Sequence, residues 1–289
     1  MAQHDGSHHH SHDHQSDARL LEYREVESET LPTYWSDVLD WVGRAAEDNS
    51  PQRILDVGAG TGYASIALAK RFPRAEVISL DVDAAALALV RTKAGKALVA
   101  DRVVTLEADL DEVWPPDLAR IDLTWASMSL HHLADPHRVL GALHATTAPG
   151  GLLAVAEAGD DLRLLPDDLG VGRPGLESRC LAAHAAELAR TLPTLGTDWA
   201  PRVREAGFEV LDERTFPLDE DPPVLPATAR YAELRLERAR SGLAEQLDQE
   251  DLDTLDTLLD PGSPLYLGRR TDFTVHGSRI VTLATRSSS

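Results

Sequence analysis

A chain of 289 residues with 43% hydrophobic and 26% charged content is long enough to bury one large core, or two small ones, without covalent staples. Its 48 acidic against 28 basic residues leave a formal charge of −20, a surface that repels nucleic acid and anionic lipid. The single cysteine, Cys180, excludes an intramolecular disulfide and a Cys-x-x-Cys metal knuckle, and no apolar run nears the roughly 18–20 residues of a membrane helix, so a cytoplasmic chain with no membrane partner is expected.

Residues 1–17 hold six of the twelve histidines and almost nothing apolar, which predicts a disordered His-rich tail. Its polarity is wrong for a signal peptide. Clustered imidazoles can bind a metal, but no regular ligand spacing defines a site, and no metal residue is assigned. Residues 18–50 then read as an N-terminal helical arm, with Leu20, Tyr23, Trp35, Val38 and Val42 among its apolar positions and Pro32 dividing it into two helices.

Ile54, Leu55 and Val57 suit a buried strand, Gly58, Gly60 and Gly62 a tight turn, and the alanine-rich run to Lys70 a helix. Such a loop lets backbone N–H groups at a helix N-terminus approach a nucleotide-like cofactor, because glycine has no Cβ to hold the ligand off. The spacing is G-x-G-x-G rather than the G-x-G-x-x-G of dinucleotide readers, and Asp56 stands two residues before the first glycine. That carboxylate would repel a pyrophosphate and attract an ammonium group.

Residues 75–81 read as a second strand ending on Asp81, which lies 19 residues beyond Gly62, where a carboxylate can accept both hydroxyls of an adenosine ribose. Asp83 sits where the cap of the next helix belongs. Residues 102–107 form a third strand with Asp109 beyond its carboxyl end, residues 121–133 a fourth strand and its loop, and residues 152–157 a fifth strand after Pro149-Gly150-Gly151. The alternation of strand and helix predicts an α/β fold, a doubly wound, mostly parallel sheet with helices on both faces.

The stretch D-V-G-A-G-T-G after two apolar residues, with Leu130-His131-His132-Leu133-x-Asp135-Pro136, a helix and Pro-Gly-Gly further on, resembles the class I S-adenosylmethionine-dependent methyltransferases, in their small-molecule branch. The resemblance covers about residues 53–158. It implies a seven-stranded Rossmann-like sheet with S-adenosylmethionine as cofactor, bound by residues 51–158. Cofactor contacts are implied for Asp56, Gly58, Ala59, Gly60, Thr61 and Gly62 at the amino-acid end, Asp81 at the ribose and Asp109 at the adenine, with Val82, Leu110, Ala126 and Ser127 as further contacts. His131 and His132 would face the transferred methyl and are the candidate bases, histidine having the right pKa range; one of two adjacent histidines usually points into the protein. Tyr23 and Trp35 become lid candidates, or aromatics that pack the arm onto the sheet.

Residues 159–196 form an insertion suited to substrate contacts, and residues 197–289 complete the core, with a helix at 199–206 and strands at 208–216, 271–275 and 279–285. Within them a helical insertion at about 222–268, opened by Pro222-Pro223, carries two leucine-rich stripes. These stripes suit either a cover over the active-site mouth or a homodimer surface. The expected activity is methyl transfer to an oxygen, nitrogen or carbon of a small-molecule acceptor. Its alternatives are a nicotinamide-dependent oxidoreductase and a non-catalytic S-adenosylmethionine-binding protein.

Overall fold

The computed structural model describes residues 7–46, 50–220 and 225–287, with backbone alone for 7–17. Seven strands, β1 (Arg53–Val57), β2 (Glu76–Asp81), β3 (Val103–Glu107), β4 (Ile121–Ser127), β5 (Thr147–Ala158), β6 (Glu209–Pro217) and β7 (Ser278–Thr285), form one sheet in the order β3-β2-β1-β4-β5-β7-β6. Pairs from β3 through β5 are parallel, and β7 runs antiparallel to both β5 and β6. The chain reverses its direction of winding between β1 and β4, and the crevice beyond those two carboxyl ends is where open α/β sheets bind ligands.

Side-chain alternation along the strands sorts the core into two layers. Ile54, Val77, Leu123 and Trp125 face one side, packed by α2 (Pro32–Ala45), α3 (Tyr63–Arg71) and α4 (Ala84–Lys96). Leu55, Val57, Ile78 and Leu80 face the other, packed by α5 (Pro136–Thr146) and α7 (Ala200–Glu205). Both faces are therefore covered, as a parallel sheet requires.

Four helices lie outside this sandwich: α1 (Ser7–Thr30), α6 (Leu176–Thr191), α8 (Pro226–Gly242) and α9 (Gln249–Leu259). Helix α1 packs on α8, which joins the N-terminal arm to the second insertion. Its backbone is helical from Ser7, where the sequence predicts disorder through residue 17; no proline or glycine interrupts Ser7–Thr30, so a helix held by its packed half can propagate backward. The strand expected at 271–275 does not form. Thr274 and His276 donate to Leu164 and Arg163 while Glu220 donates to Val275, so the bonds go to two separate segments and no ladder results. The Pro222-Pro223 opening lies outside the described residues. Among the described residues, no helix is long and apolar enough to cross a membrane.

Candidate functional site

The glycines after β1 answer to different constraints. All three have left-handed backbone, with φ of +67° at Gly58, +51° at Gly60 and +81° at Gly62. A Cβ on Gly58 would stand 2.4 Å from Ser129 Cβ, and one on Gly62 2.7 Å from Val90 Cγ2, so neighbouring elements press on both. A Cβ on Gly60 would meet no heavy atom within 4 Å. Gly60 thus borders open space at the N-terminus of α3, where backbone N–H groups and the helix dipole favour a polar ligand.

Asp81 is tied to this loop. Its Oδ2 accepts from Gly60 N at 2.7 Å and its Oδ1 from Asp83 N at 2.9 Å, while Ala59 N donates to Leu80 O at 2.9 Å. The carboxylate is fixed in orientation with a lone pair to spare on each oxygen. Asp83 points elsewhere: its side chain caps α4 by accepting from Ala85 N and Ala86 N.

Asp56 is already engaged by a side chain of α3. It shares a strand face with Ile54, is buried, and accepts from Ser65 Oγ at 2.5 Å, Ser65 in turn accepting from Ser79 Oγ at 2.7 Å. Burial pushes its carboxyl up to about 7, with the nearby Asp81 charge adding to the rise and the Ser65 hydrogen bond opposing it. The sequence assigns Asp56 to an ammonium; the structure gives it first to a buried hydroxyl cluster joining β1, α3 and β2. Two small hydroxyls inside otherwise apolar runs, Ser65 and Ser79, were the available signal.

The next strand ends are less enclosed. Val82 is 62% exposed directly after Asp81, and Asp109 is exposed, its Oδ1 accepting from Asp111 N at 2.8 Å. Leu110, Thr61 and Ala126 are buried, the first and last with their side chains in the lower core, so neither offers a side chain to a ligand. Beyond Ser127, Met128 takes a left-handed φ of 50°, strain of the kind that clusters at functional sites. Ser129 follows, its Oγ buried against Gly58 and without a hydrogen-bond partner among the described residues. Neither Met128 nor Ser129 carries a sequence signal of its own.

The two histidines separate. His131 is buried, its Nδ1 2.5 Å from Glu157 Oε2, and Glu157 Oε1 accepts from Leu130 N at 3.1 Å. Glu157 therefore holds the 3₁₀ turn Leu130–His132 by both oxygens. His132 is exposed, its ring 4.2 Å from that of His131. Its pKa is held below the ordinary histidine range, chiefly by lost hydration, then by His131 and Arg24, with Glu157 and Asp81 pulling the other way. A neutral imidazole that can accept a proton results.

Arg24 belongs to α1, which lies over this crevice. Arg24 stands 3.8 Å from Asp83, and Glu25 pairs with Lys93 of α4. Trp35 of α2 packs its ring 5.0 Å from Tyr63, the first residue after the glycine loop, and 6.1 Å from buried Trp125. Tyr23 turns the other way and packs on Tyr231 of α8, ring centroids 5.1 Å apart. Of the two lid candidates, Trp35 borders the loop and Tyr23 the insertion.

A family described as a methyltransferase domain matches residues 55–153. The malonyl-[acyl-carrier protein] O-methyltransferase of Methylovorus sp. (strain MP688) is 36% identical over 150 residues, 50% of this chain and 46% of that protein. The 27-O-demethylrifamycin SV methyltransferase of Amycolatopsis mediterranei is 32% identical over 189 residues, 65% of each chain. This chain spans less than half the length of the first of these relatives. Among solved structures, the YcgJ protein of Bacillus subtilis has the same fold, with a TM-score of 0.50 at 15% identity over 86% of this chain and 98% of that one.

Proposed function

This chain belongs to the class I S-adenosylmethionine-dependent methyltransferases, and on that premise we propose that it transfers the cofactor's methyl group to a small-molecule acceptor. One observation carries the reading: Gly60, with open space where a Cβ would stand, donates its N–H to the carboxylate of Asp81 at the end of β2, beside the switch point of the sheet. A glycine loop alone would suit many nucleotides. A loop locked to a carboxylate suits a ligand with a polar head and a ribose.

In this reading Asp81 accepts the ribose hydroxyls, Val82 lies against the adenine face, and Asp109 accepts from the adenine amine. Ser129 Oγ, buried without a partner, is suited to donate to the cofactor's own carboxylate. S-adenosylmethionine supplies a methyl on a sulfonium, so that the departing group is a neutral thioether. The chain's own task is then mainly to align acceptor and methyl with water excluded. His132, neutral and exposed at the end of β4, takes the proton of an acceptor that must lose one. His131 is a positioning residue, acting through the bond to Glu157.

Calorimetric titration with S-adenosylhomocysteine and with NADH tests the cofactor: the former should bind and the latter should not, and the reverse order would overturn the reading. Asp81→Ala should weaken S-adenosylhomocysteine by about 1–3 kcal/mol, the loss of paired buried hydroxyls. With an acceptor found by mass spectrometry as a product heavier by one methylene, His132→Ala should lower kcat and leave cofactor affinity in place. Unchanged turnover would remove His132 from the proton path.

A further inference from the structure

Helices α1, α6 and α8, all outside the matched methyltransferase domain, line a half-open cavity of about 450 Å³. That volume is in the range of small-molecule sites. Its apolar lining comes from Cys180 and Leu181 of α6, Leu236 and Ala239 of α8 and Leu243 just after α8, beside polar and charged side chains of the same helices. Tyr23 of α1 closes one end.

Two carboxylates, Glu177 and Glu187, and two guanidiniums, Arg235 and Arg238, line it, and they are not engaged alike. Glu177 is buried and engaged, accepting from Leu164 N and Leu165 N at 3.0 Å and standing 3.6 Å from Arg235. Arg235 itself donates to Leu162 O at 2.6 Å. Glu187 on the rim faces Arg190 at 3.8 Å. Arg238 is different: its guanidinium lies over the Tyr23 ring, 4.9 Å from the centroid, and among the described residues it pairs with no carboxylate. His184 lines the same wall, its proton affinity lowered by burial first and then by Arg238 and Arg235, with Glu187 and Asp161 acting against them. A cavity with Cys180, Leu236 and Leu243 buried in its wall, and an exposed guanidinium at its rim that no carboxylate engages among the described residues, suits an anion with an apolar body.

Two hydrogen bonds tie the elements around the cavity to the sheet and to the turn after β4. Glu27, one turn along α1 from Tyr23, accepts from the buried Arg279 of β7 at 2.9 Å. In the segment after α6, Thr194 Oγ1 donates to His131 O at 3.3 Å. Of these, only the segment after α6 reaches the turn that carries His132.

We propose that this cavity binds an organic anion with an apolar body, its charged end on Arg238 and its body along Leu236, Ala239 and Leu243. Titrating the full chain with octanoate, 1-octanol and octylammonium, which share one apolar body and differ in charge, tests it. Octanoate should bind at least tenfold more tightly than octylammonium, with octanol between. Arg238→Ala should bring octanoate to the level of octanol, and Arg238→Lys should recover part of the loss. Octanoate and S-adenosylhomocysteine should bind together. Competition between them, equal affinities for octanoate and octylammonium, or an octanoate affinity unmoved by Arg238→Ala would each overturn the anion site. Failure of S-adenosylhomocysteine to bind while octanoate binds would instead overturn the methyl-transfer reading and leave the anion site standing.

Discussion

The crevice and its cover are built from different materials. At the crevice every one of these contacts has a backbone N–H as donor: Gly60 N and Asp83 N to the Asp81 carboxylate and Ala59 N to Leu80 O, with left-handed φ at three glycines. Over it, α1 is held by side chains, through Arg19 to Glu237, Glu22 to Arg230, Glu25 to Lys93 and Glu27 to Arg279. A backbone site admits few residues and leaves a motif, whereas an ion pair can be made by many combinations and leaves none. The matched domain, residues 55–153, covers β1 through most of β5 and contains none of α1, α6, α8 or α9.

Substitution at Gly58 should break the crevice most completely. Gly58→Ala places a Cβ 2.4 Å from Ser129 Cβ in a backbone with φ of +67°. Left-handed strain of about 1–2 kcal/mol adds to an overpacking cost of about 1–3 kcal/mol, because the obstructing atom is the root of a side chain rather than its flexible end. Urea unfolding should show a loss of about 2–5 kcal/mol. Gly60→Ala, with open space at its Cβ, should cost only the strain while still weakening S-adenosylhomocysteine. Equal losses at both positions would mean that the loop is shaped by φ alone.

Asp56 comes next, and its effect depends on pH. Its carboxyl titrates near 3.8 when unperturbed and at about 7 in the fold, so between those values the folded state holds the extra proton and wild-type stability falls as pH rises. Asp56→Asn removes the ionisation. Relative to wild type the variant should gain stability from pH 4 to pH 8, on the order of 4 kcal/mol across the window, with little advantage below it. S-adenosylmethionine affinity distinguishes the two roles of Asp56. If the bound ammonium draws the carboxyl into its charged form, affinity rises with pH toward 7; if Asp56 serves only the hydroxyl cluster, affinity stays flat.

The same division explains what could be read from the sequence. The strands β1 to β5, the loop and the acids at the ends of β2 and β3 follow from apolar runs, glycines and spacing, all local signals. Which way Asp56 points was also local, since it alternates with Leu55 and Val57, but an acid before a glycine loop suggests a ligand more readily than a buried serine pair. The packing of α8 on α1 joins residues some 200 positions apart in sequence, such as Arg230 with Glu22, and no periodicity in either helix names its partner. Residues 271–275 alternate like a strand, yet a strand needs one continuous neighbour, which 163–164 and 220 do not provide. Glu157 was visible only as an acid at the end of β5; its hold on His131 and Leu130 depends on the adjacency of β4 and β5.

Within the cover, burial rather than number of ion pairs should decide which contacts hold α1. Glu27 meets an Arg279 that retains 9% of its side-chain exposure, so Glu27→Gln leaves a guanidinium short of its partner in a site that water reaches poorly. A fully buried pair broken on one side costs about 3–5 kcal/mol, and with Glu27 itself partly exposed about 1–2 kcal/mol is expected. Arg19 is 63% exposed and its partner Glu237 25%, so Arg19→Ala should change stability by less than about 0.5 kcal/mol, and less again in high salt. Hydrogen exchange of the α1 amides separates the two cases: Glu27→Gln should speed exchange across residues 18–30, because opening α1 then sacrifices one ion pair fewer, while Arg19→Ala should leave the rates within error. Comparable acceleration by both would show that α1 is held by its total charge, and the cover would then loosen with ionic strength as the backbone-built crevice does not.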